Sequence, residues 1–300
     1  MAGLRGLGLG SVAASVAVIV ALLALANLAL LPPASTLGNE GVEPHLGNAA
    51  EAPHCHVVLP PLPHHWTPSE LLSRAQAVLE GEDSIFPFTT EAGYNISGAD
   101  AKAVDVAVHD RADKQEKMPI CMPSTYDGHS VHSLGVALGV TGDGLKPLQL
   151  EDVVVDLGAG IGKILAVAAL TTNASARGIE LSKERHEEGC RVLQLLRQVL
   201  SAGGDYAAPS RRFELFQGDI FDAPAALVRP TAGAMNFIAY ANCLPYGLLA
   251  AMMKIVATAP ATCVRLFTTK EPVSVAPQSL GLHRHPGLHG GLYTLFSRLG

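Results

Sequence analysis

No block of Lys or Arg stands anywhere in the chain to neutralise a row of phosphates, and the formal net charge is −6 with a pI near 6.0. Direct nucleic-acid binding is therefore not expected. No Cys-x-x-Cys pair occurs either. The five cysteines, Cys55, Cys121, Cys190, Cys243 and Cys263, are odd in number and widely scattered. That pattern indicates neither a disulfide framework nor a zinc site, so structural or incidental thiols and no metal ligands are expected. Charged residues are scarce, 16% against 48% hydrophobic, which excludes a disordered acidic or basic chain and leaves ample apolar surface to bury. There is no internal repeat. A chain of 300 residues then has room for one α/β domain with appendages.

The apolar surface is unevenly spread. Val12 to Leu31 is apolar over 20 residues except for Ser15 and Asn27, follows a single basic residue, Arg5, and ends at Pro32-Pro33. That length suits a bilayer span. A cleaved secretory signal usually has a shorter apolar region, and an organelle transit sequence is usually richer in Arg. Residues 1–31 are thus read as a signal anchor or signal peptide, with the membrane or secretory pathway as the expected location. An organelle is the alternative, and the nucleus is disfavoured. Residues 32–68, rich in Pro, Gly and His without a sustained period, read as a flexible linker. His45, His54, His56, His64 and His65 are read there as solvated side chains, because a tail lacks the fixed geometry of a metal site.

Residues 69–122 read as a helical or irregular extension. Ser69 is placed as an N-cap, with Leu71, Leu72 and Ala75 to Leu79 offering a helical face. Ala101 to His109 fits either a strand or a helix. Asn95-Ile96-Ser97 and Asn173-Ala174-Ser175 match the glycosylation triplet, a pattern too common by chance to assign a compartment.

From Leu150 the rhythm turns to strand, helix, strand, helix, which predicts a mostly parallel sheet with helices on both faces. Strands are expected at Val153–Leu157, Ala176–Glu180, Phe213–Gln217, Asn236–Tyr240 and Cys263–Thr268. Helices are expected at Lys163–Leu170, Lys183–Leu200 and Tyr246–Val256, and Leu292–Phe296 is a candidate edge strand.

Asp156-Leu157-Gly158-Ala159-Gly160-Ile161-Gly162 falls between the first of these strands and its helix. Glycines at such a junction permit positive φ and let a ligand reach the backbone. Dinucleotide sites run Gly-x-Gly-x-x-Gly and seat a pyrophosphate on a helix N-terminus. Here the third glycine arrives one residue early, and Asp156 at the loop mouth would repel pyrophosphate but attract an ammonium. S-adenosyl-L-methionine is favoured over NAD. Glu180 ends the second strand, 24 residues after Asp156, where a carboxylate can accept both ribose hydroxyl protons. Asp219 follows the third strand, suited to the adenine amine, with Ile220 on the ring.

In order, Thr125-Tyr126, Asp156 to Lys163, Gly178-Ile179-Glu180-Leu181-Ser182, Gly218-Asp219 and Ala241-Asn242-Cys243 resemble the Dot1-like lysine methyltransferases. The resemblance spans about half the chain. It implies a Rossmann-like class I methyltransferase domain over residues 123–300, a seven-stranded sheet, and S-adenosyl-L-methionine held by Thr125, Tyr126, Asp156, Gly158, Ala159, Gly160, Gly162, Glu180, Leu181, Asp219, Ile220 and Asn242. Thr125 and Tyr126 would lie across the methionine end of the cofactor and Asn242 would line the channel where the acceptor amine meets the methyl group, with Asn242 and Tyr126 as the catalytic candidates. The chain departs from the family at Tyr126-Asp127-Gly128, where the family runs Tyr-Gly-Glu, and at Ala241-Asn242-Cys243, where it favours Asn-Asn-Phe. Three readings follow: a protein-lysine methyltransferase, a membrane-anchored methyltransferase of small molecules or non-histone proteins, and an inactive cofactor-binding interaction module. The intact glycines and Glu180 speak against the last.

Overall fold

The computed structural model describes residues 53–81, 84–86, 96–111, 131–142, 144–201, 210–219, 227, 234–240, 263–268, 282–284 and 294–298. The hydrophobic segment 12–31, Thr125, Tyr126, Ile220, Asn242 and the helix expected at Tyr246–Val256 lie outside them. Among the described residues no helix is long and apolar enough to cross a membrane.

Among the described residues eight strands form one sheet: β1 (His54–Leu59), β2 (Val153–Leu157), β3 (Ser175–Glu180), β4 (Arg211–Gln217), β5 (Met235–Tyr240), β6 (Cys263–Thr268), β7 (His283–Arg284) and β8 (Thr294–Arg298). Their spatial order is β1-β4-β3-β2-β5-β6-β8-β7. From β4 through β6 every pair is parallel. The far edge reverses: β8 runs antiparallel to β6, and β7 antiparallel to β8. Setting β1 aside, this is the expected seven-stranded, mostly parallel Rossmann-like sheet. The segment expected to close the sheet lies inside it, since β7 takes the edge position beyond β8.

Five helices are described: α1 (Pro68–Glu80), α2 (Gly98–Arg111), α3 (Val131–Ala137), α4 (Lys163–Thr171) and α5 (Lys183–Ser201). The crossovers β2-α4-β3 and β3-α5-β4 step the same way along the sheet, so right-handed connections put both helices on one face. There α4 packs on β2 and β3, α5 on β3, β4 and β1, and both α1 and α3 on α4. Strand β2 is buried along its whole length, as a central parallel strand covered on both faces must be. Residues 165 to 170 of α4 are buried throughout, so that helix is apolar all round and not amphipathic. α5 instead buries Val192, Leu193, Leu196 and Leu200 along one stripe.

Three sequence expectations need correction here. The span 32–68 is not linker throughout, because His54–Leu59 forms β1 and pairs antiparallel with β4, Cys55 opposite Leu215 and Val57 opposite Phe213. Its alternation was too short to stand out among prolines and histidines. Val57 and Leu59 turn inward to the core while His54, His56 and Val58 stay exposed, so His54 and His56 ride on a strand and not a free tail. The cysteines are not all free thiols either: Cys55 on β1 is disulfide-bonded to Cys190 on α5, across 135 residues of sequence. Spacing carries no trace of such a pairing. Finally the cap of α1 is Thr67, not Ser69. Thr67 accepts the Glu70 N–H while the Glu70 carboxylate accepts the Thr67 N–H, a capping box with Pro68 in the first turn. Ala101 to His109, ambiguous in sequence, lies within helix α2.

Two side chains bind the appended segment to the domain. Asn173 Oδ1 accepts the Leu62 N–H at 2.8 Å, which gives the Asn173 triplet a structural task. Arg211, fully buried at the start of β4, donates from Nε to Pro60 O and from Nη1 to Ala169 O and Thr172 O. It thereby satisfies carbonyls that the end of α4 leaves without helical partners. Burial pulls the guanidinium down to about 9, which keeps it charged at neutral pH. Arg211→Ala strands three buried carbonyls, and the loss should be on the order of 3 kcal/mol. Urea unfolding of the variant should show a lowered midpoint at unchanged slope; an unaltered midpoint would remove Arg211 from this role.

Candidate cofactor-binding site

The strand order reverses between β3 and β5, the two neighbours of β2. In open α/β sheets the crevice beyond the carboxyl ends of the strands at such a reversal is where ligands bind. Six of the expected site positions collect at this end. Asp156 is the penultimate residue of β2 and is buried, 4% exposed, with Gly178 and Ala239 beside it on the neighbouring strands. Glycines 158, 160 and 162 follow, Glu180 closes β3, and Asp219 lies two residues past β4.

The loop demands its glycines. Gly158, Gly160 and Gly162 have φ of 74°, 57° and 85°, a region that other residues enter only with strain. Gly162 is the residue before α4 in left-handed conformation, and a Cβ built there would meet no heavy atom within 4 Å. The backbone at the helix entrance therefore opens on free space. Below the loop the packing is tight instead. The N–H groups of Gly158 and Ala159 both donate to Ile179 O, and a Cβ on Gly178 would come within 2.8 Å of the Ala159 Cβ and 2.9 Å of Leu215 Cδ1. The bare backbone of Gly178 is what lets the loop settle on β3.

Glu180 organises the rest. One carboxylate oxygen accepts the Gly160 N–H at 2.7 Å and the other accepts the Ser182 N–H at 2.9 Å. Its backbone carbonyl accepts the Gly218 N–H at 2.9 Å, which brings Asp219 alongside. A single residue thus ties the glycine loop, the β3 end and the β4 end together. Burial pushes its carboxyl above the ordinary carboxylate range, opposed by the Arg185 guanidinium and by the two N–H donors. Leu181, half-buried, lies between Glu180 and Ser182.

A supporting layer escaped the sequence reading. Ser182 caps α5 by accepting the Arg185 N–H, and Asp100 of α2 accepts the Ser182 hydroxyl at 2.5 Å and the Glu184 N–H at 3.2 Å. Glu184 returns the favour by accepting the Ser97 N–H at 2.6 Å, so the N-termini of α2 and α5 cap one another. Arg185 lies 3.9 Å from Glu180 Oε1, while its Nε and Nη2 are buried with no hydrogen-bond partner among the described residues. A Ser two residues past a strand end signals a cap. Nothing in the sequence could announce Asp100, which is 82 residues from Ser182.

The donor set fits an adenosyl ligand. A carboxylate has about four lone-pair sites, and the hydrogen bonds above engage one per oxygen, which leaves capacity for two hydroxyl donors. Asp156, Gly158, Ala159, Gly160, Gly162, Glu180, Leu181 and Asp219 are brought to one end of the sheet. Thr125, Tyr126, Ile220 and Asn242 belong to segments outside the described residues.

No protein-family model matches the chain, and no curated protein matches it in sequence. Solved structures do share the arrangement of strands and helices. A precorrin-6y C5,15-methyltransferase from Geobacter metallireducens GS-15 is 12% identical, over 62% of this chain and 96% of that one, with a TM-score of 0.40. An RNA methyltransferase from Salinibacter ruber, in complex with S-adenosyl-L-homocysteine, is 19% identical over 55% and 87% of the two chains, with a TM-score of 0.36. An rRNA methylase from Streptococcus thermophilus is 13% identical over 57% and 95%, at 0.35. Scores this low assign neither substrate nor activity; the strand order and the loop geometry carry the fold.

Replacing Gly178 by Val should push Ala159 and Leu215 aside, since even a Cβ overlaps both. The expected loss is about 1–3 kcal/mol. Thermal melting of Gly178→Val at the wild-type temperature would show that β3 and the loop are not in the contact described.

Proposed function

We propose that the chain is an S-adenosyl-L-methionine-dependent methyltransferase acting on a protein lysine, in the manner of the Dot1-like enzymes its motifs resemble. The observation that carries the cofactor reading is the Glu180 carboxylate, buried at the switch point, holding Gly160 on one oxygen and Ser182 on the other. Gly158, Ala159, Gly160 and Gly162 would take the amino-acid end of the cofactor against their backbone, with Asp156 as the counter-charge to its ammonium. Glu180 would accept the ribose hydroxyls, and Asp219 with Ile220 would frame the adenine. When bound, the cofactor supplies a methyl group on a sulfonium centre.

The chain's own task is alignment and exclusion of water. Thr125 and Tyr126 would lie across the methionine end, and Asn242 would orient the acceptor by hydrogen bonding without serving as a base. A lysine acceptor must be neutral to attack. From a reference pKa of about 10.4, that costs roughly 4 kcal/mol near pH 7.4. An apolar channel lowers the cost by disfavouring the ammonium.

A second reading is favoured by one feature, the apolar run Val12–Leu31. An enzyme anchored by that run at a membrane or in the secretory pathway would methylate a small molecule or a non-histone protein, and the acidic balance of the chain suits it. Incubating the full chain and tritiated S-adenosyl-L-methionine with a cell lysate separates the readings. Label in protein, carried on lysine, supports the first, and label in extractable metabolites the second. Binding without transfer would leave only the inactive module. Gly160→Arg fills the loop and should abolish cofactor binding in calorimetry; retained affinity removes the glycine loop from the proposal.

The state of Glu180 gives a pH test. Its ionised form is the acceptor, and burial raises its pKa above 4.5. Protonation therefore sets in at a higher pH than for an exposed carboxylate. Cofactor affinity should fall as pH drops through that raised value and be fully present above it. In Glu180→Gln affinity should be weaker by about tenfold or more and lose this slope. An identical pH profile in both proteins would take Glu180 out of the ribose role.

A further inference from the structure

Away from the cofactor site, β1 and α5 bring three soft or borderline ligand atoms together. Cys55 Sγ, Cys190 Sγ and one His186 ring nitrogen all lie within 4.8 Å of one another. His186 and Cys190 stand four residues apart on α5, hence one above the other on the same helix face. Cys55 comes from β1, which the ladder to β4 holds in register. His186 is buried and both cysteines are half-buried. Three ligands are therefore fixed by two packed elements, not by a tail.

The distances suit a tetrahedral cation. With Zn–S near 2.3 Å and Zn–N near 2.0–2.1 Å, the S···N edge of a tetrahedron is about 3.6 Å and the S···S edge about 3.8 Å. Cys190 Sγ stands 3.6 Å from His186 Nε2. The sulfur pair must part, because in the oxidised chain it is a covalent bond, and Cys55 Sγ, within 4.8 Å of the imidazole nitrogen, must settle at the same edge length. We propose that Cys55, His186 and Cys190 form a redox-gated zinc site, closed by the Cys55–Cys190 disulfide and opened by its reduction.

The chemistry balances with a dithiol as reductant. Its two thiols become a disulfide, and their two electrons and two protons convert the Cys55–Cys190 bond into two thiols. Zinc then displaces both thiol protons, and His186 contributes the Nε2 lone pair with its hydrogen on Nδ1. The present contact of Nε2 with Leu215 O, 3.1 Å, is given up in exchange. Two thiolates neutralise the dication, so the filled site carries no net charge into a half-buried position. A water completes the coordination. The consequence is that β1 stays fastened to α5 in either surroundings, by a covalent bond where conditions oxidise and by a cation where they reduce.

Cobalt(II) is the probe, because thiolate ligation in a tetrahedral field gives a sulfur-to-metal band in the near ultraviolet and strong visible bands. The full chain, reduced with a phosphine, should take up about one cobalt with those bands and lose them to added zinc. The oxidised chain should show none; it has the same sequence, so this comparison holds even if a variant fails to fold. Cys190→Ser should abolish the bands, and His186→Ala should weaken or abolish them. A variant with Cys121, Cys243 and Cys263 all changed to Ser should keep them. Zinc should also raise the melting temperature of the reduced chain but not of the oxidised one. Absence of the bands in the reduced wild-type chain would overturn the proposal, as would bands of equal strength in the oxidised chain, bands that survive Cys190→Ser, or bands lost in the triple serine variant.

Discussion

One buried carboxylate holds the functional end of this molecule in shape. Glu180 gives an oxygen to Gly160 and another to Ser182, and its carbonyl takes the Gly218 N–H. Each partner belongs to a different strand-to-helix or strand-to-loop junction, so Glu180, by its carboxylate and its backbone carbonyl, joins three adjacent strand ends. Ionised, it is costly to bury. The N–H donors and the Arg185 guanidinium 3.9 Å away offset that cost. Asp100 works in the opposite direction, as a second negative charge nearby, but it fixes Ser182 and the start of α5 and so keeps one of Glu180's donors in place.

A different set of contacts secures the outer edge of the same sheet. β1 adds itself beyond β4, and Arg211, Asn173 and the Cys55–Cys190 bond each join the appended segment to the domain from another direction. The extra strand covers the edge of β4, which would otherwise present unpaired backbone groups. Arg211 also links the two regions: carbonyls it satisfies end α4, and α4 begins just after Gly162 of the glycine loop.

Much of the central sheet could be read from sequence because local pattern and global fold agree there. β2 is a continuous apolar run, and the predicted Val153–Leu157 coincides with the strand, as Cys263–Thr268 does with β6. The glycine loop was equally legible, since positive φ at Gly158, Gly160 and Gly162 has a residue-type signature. What failed were features made by distant partners. β1 becomes a strand through pairing with residues some 150 positions away, and its apolar alternation, Val57 and Leu59 against His56 and Val58, is too brief to compete with the surrounding prolines. The disulfide and the Asp100 contacts are of the same kind. Thr67 was missed for a more local reason: Ser69 is an equally good cap by type, and Pro68 and Glu70 decide between them only when their positions relative to the cap are weighed.

The condition of Glu180 bears on how a ligand would be held. A surface carboxylate must shed water before it can accept a hydroxyl proton, and most of the gain from the new hydrogen bond is cancelled. Glu180 is already 5% exposed, and its dehydration is met by folding through Gly160, Ser182 and Arg185. Hydroxyl groups arriving at its remaining lone pairs face no such charge-dehydration cost on the protein side. The same fixed donors prevent the carboxylate from turning to follow a ligand, so selectivity for a vicinal diol would come from a rigid acceptor and not from adjustment. Burial that raises the carboxyl's pKa and rigidity that sharpens its recognition are thus two results of one arrangement, and weakening either would weaken the other.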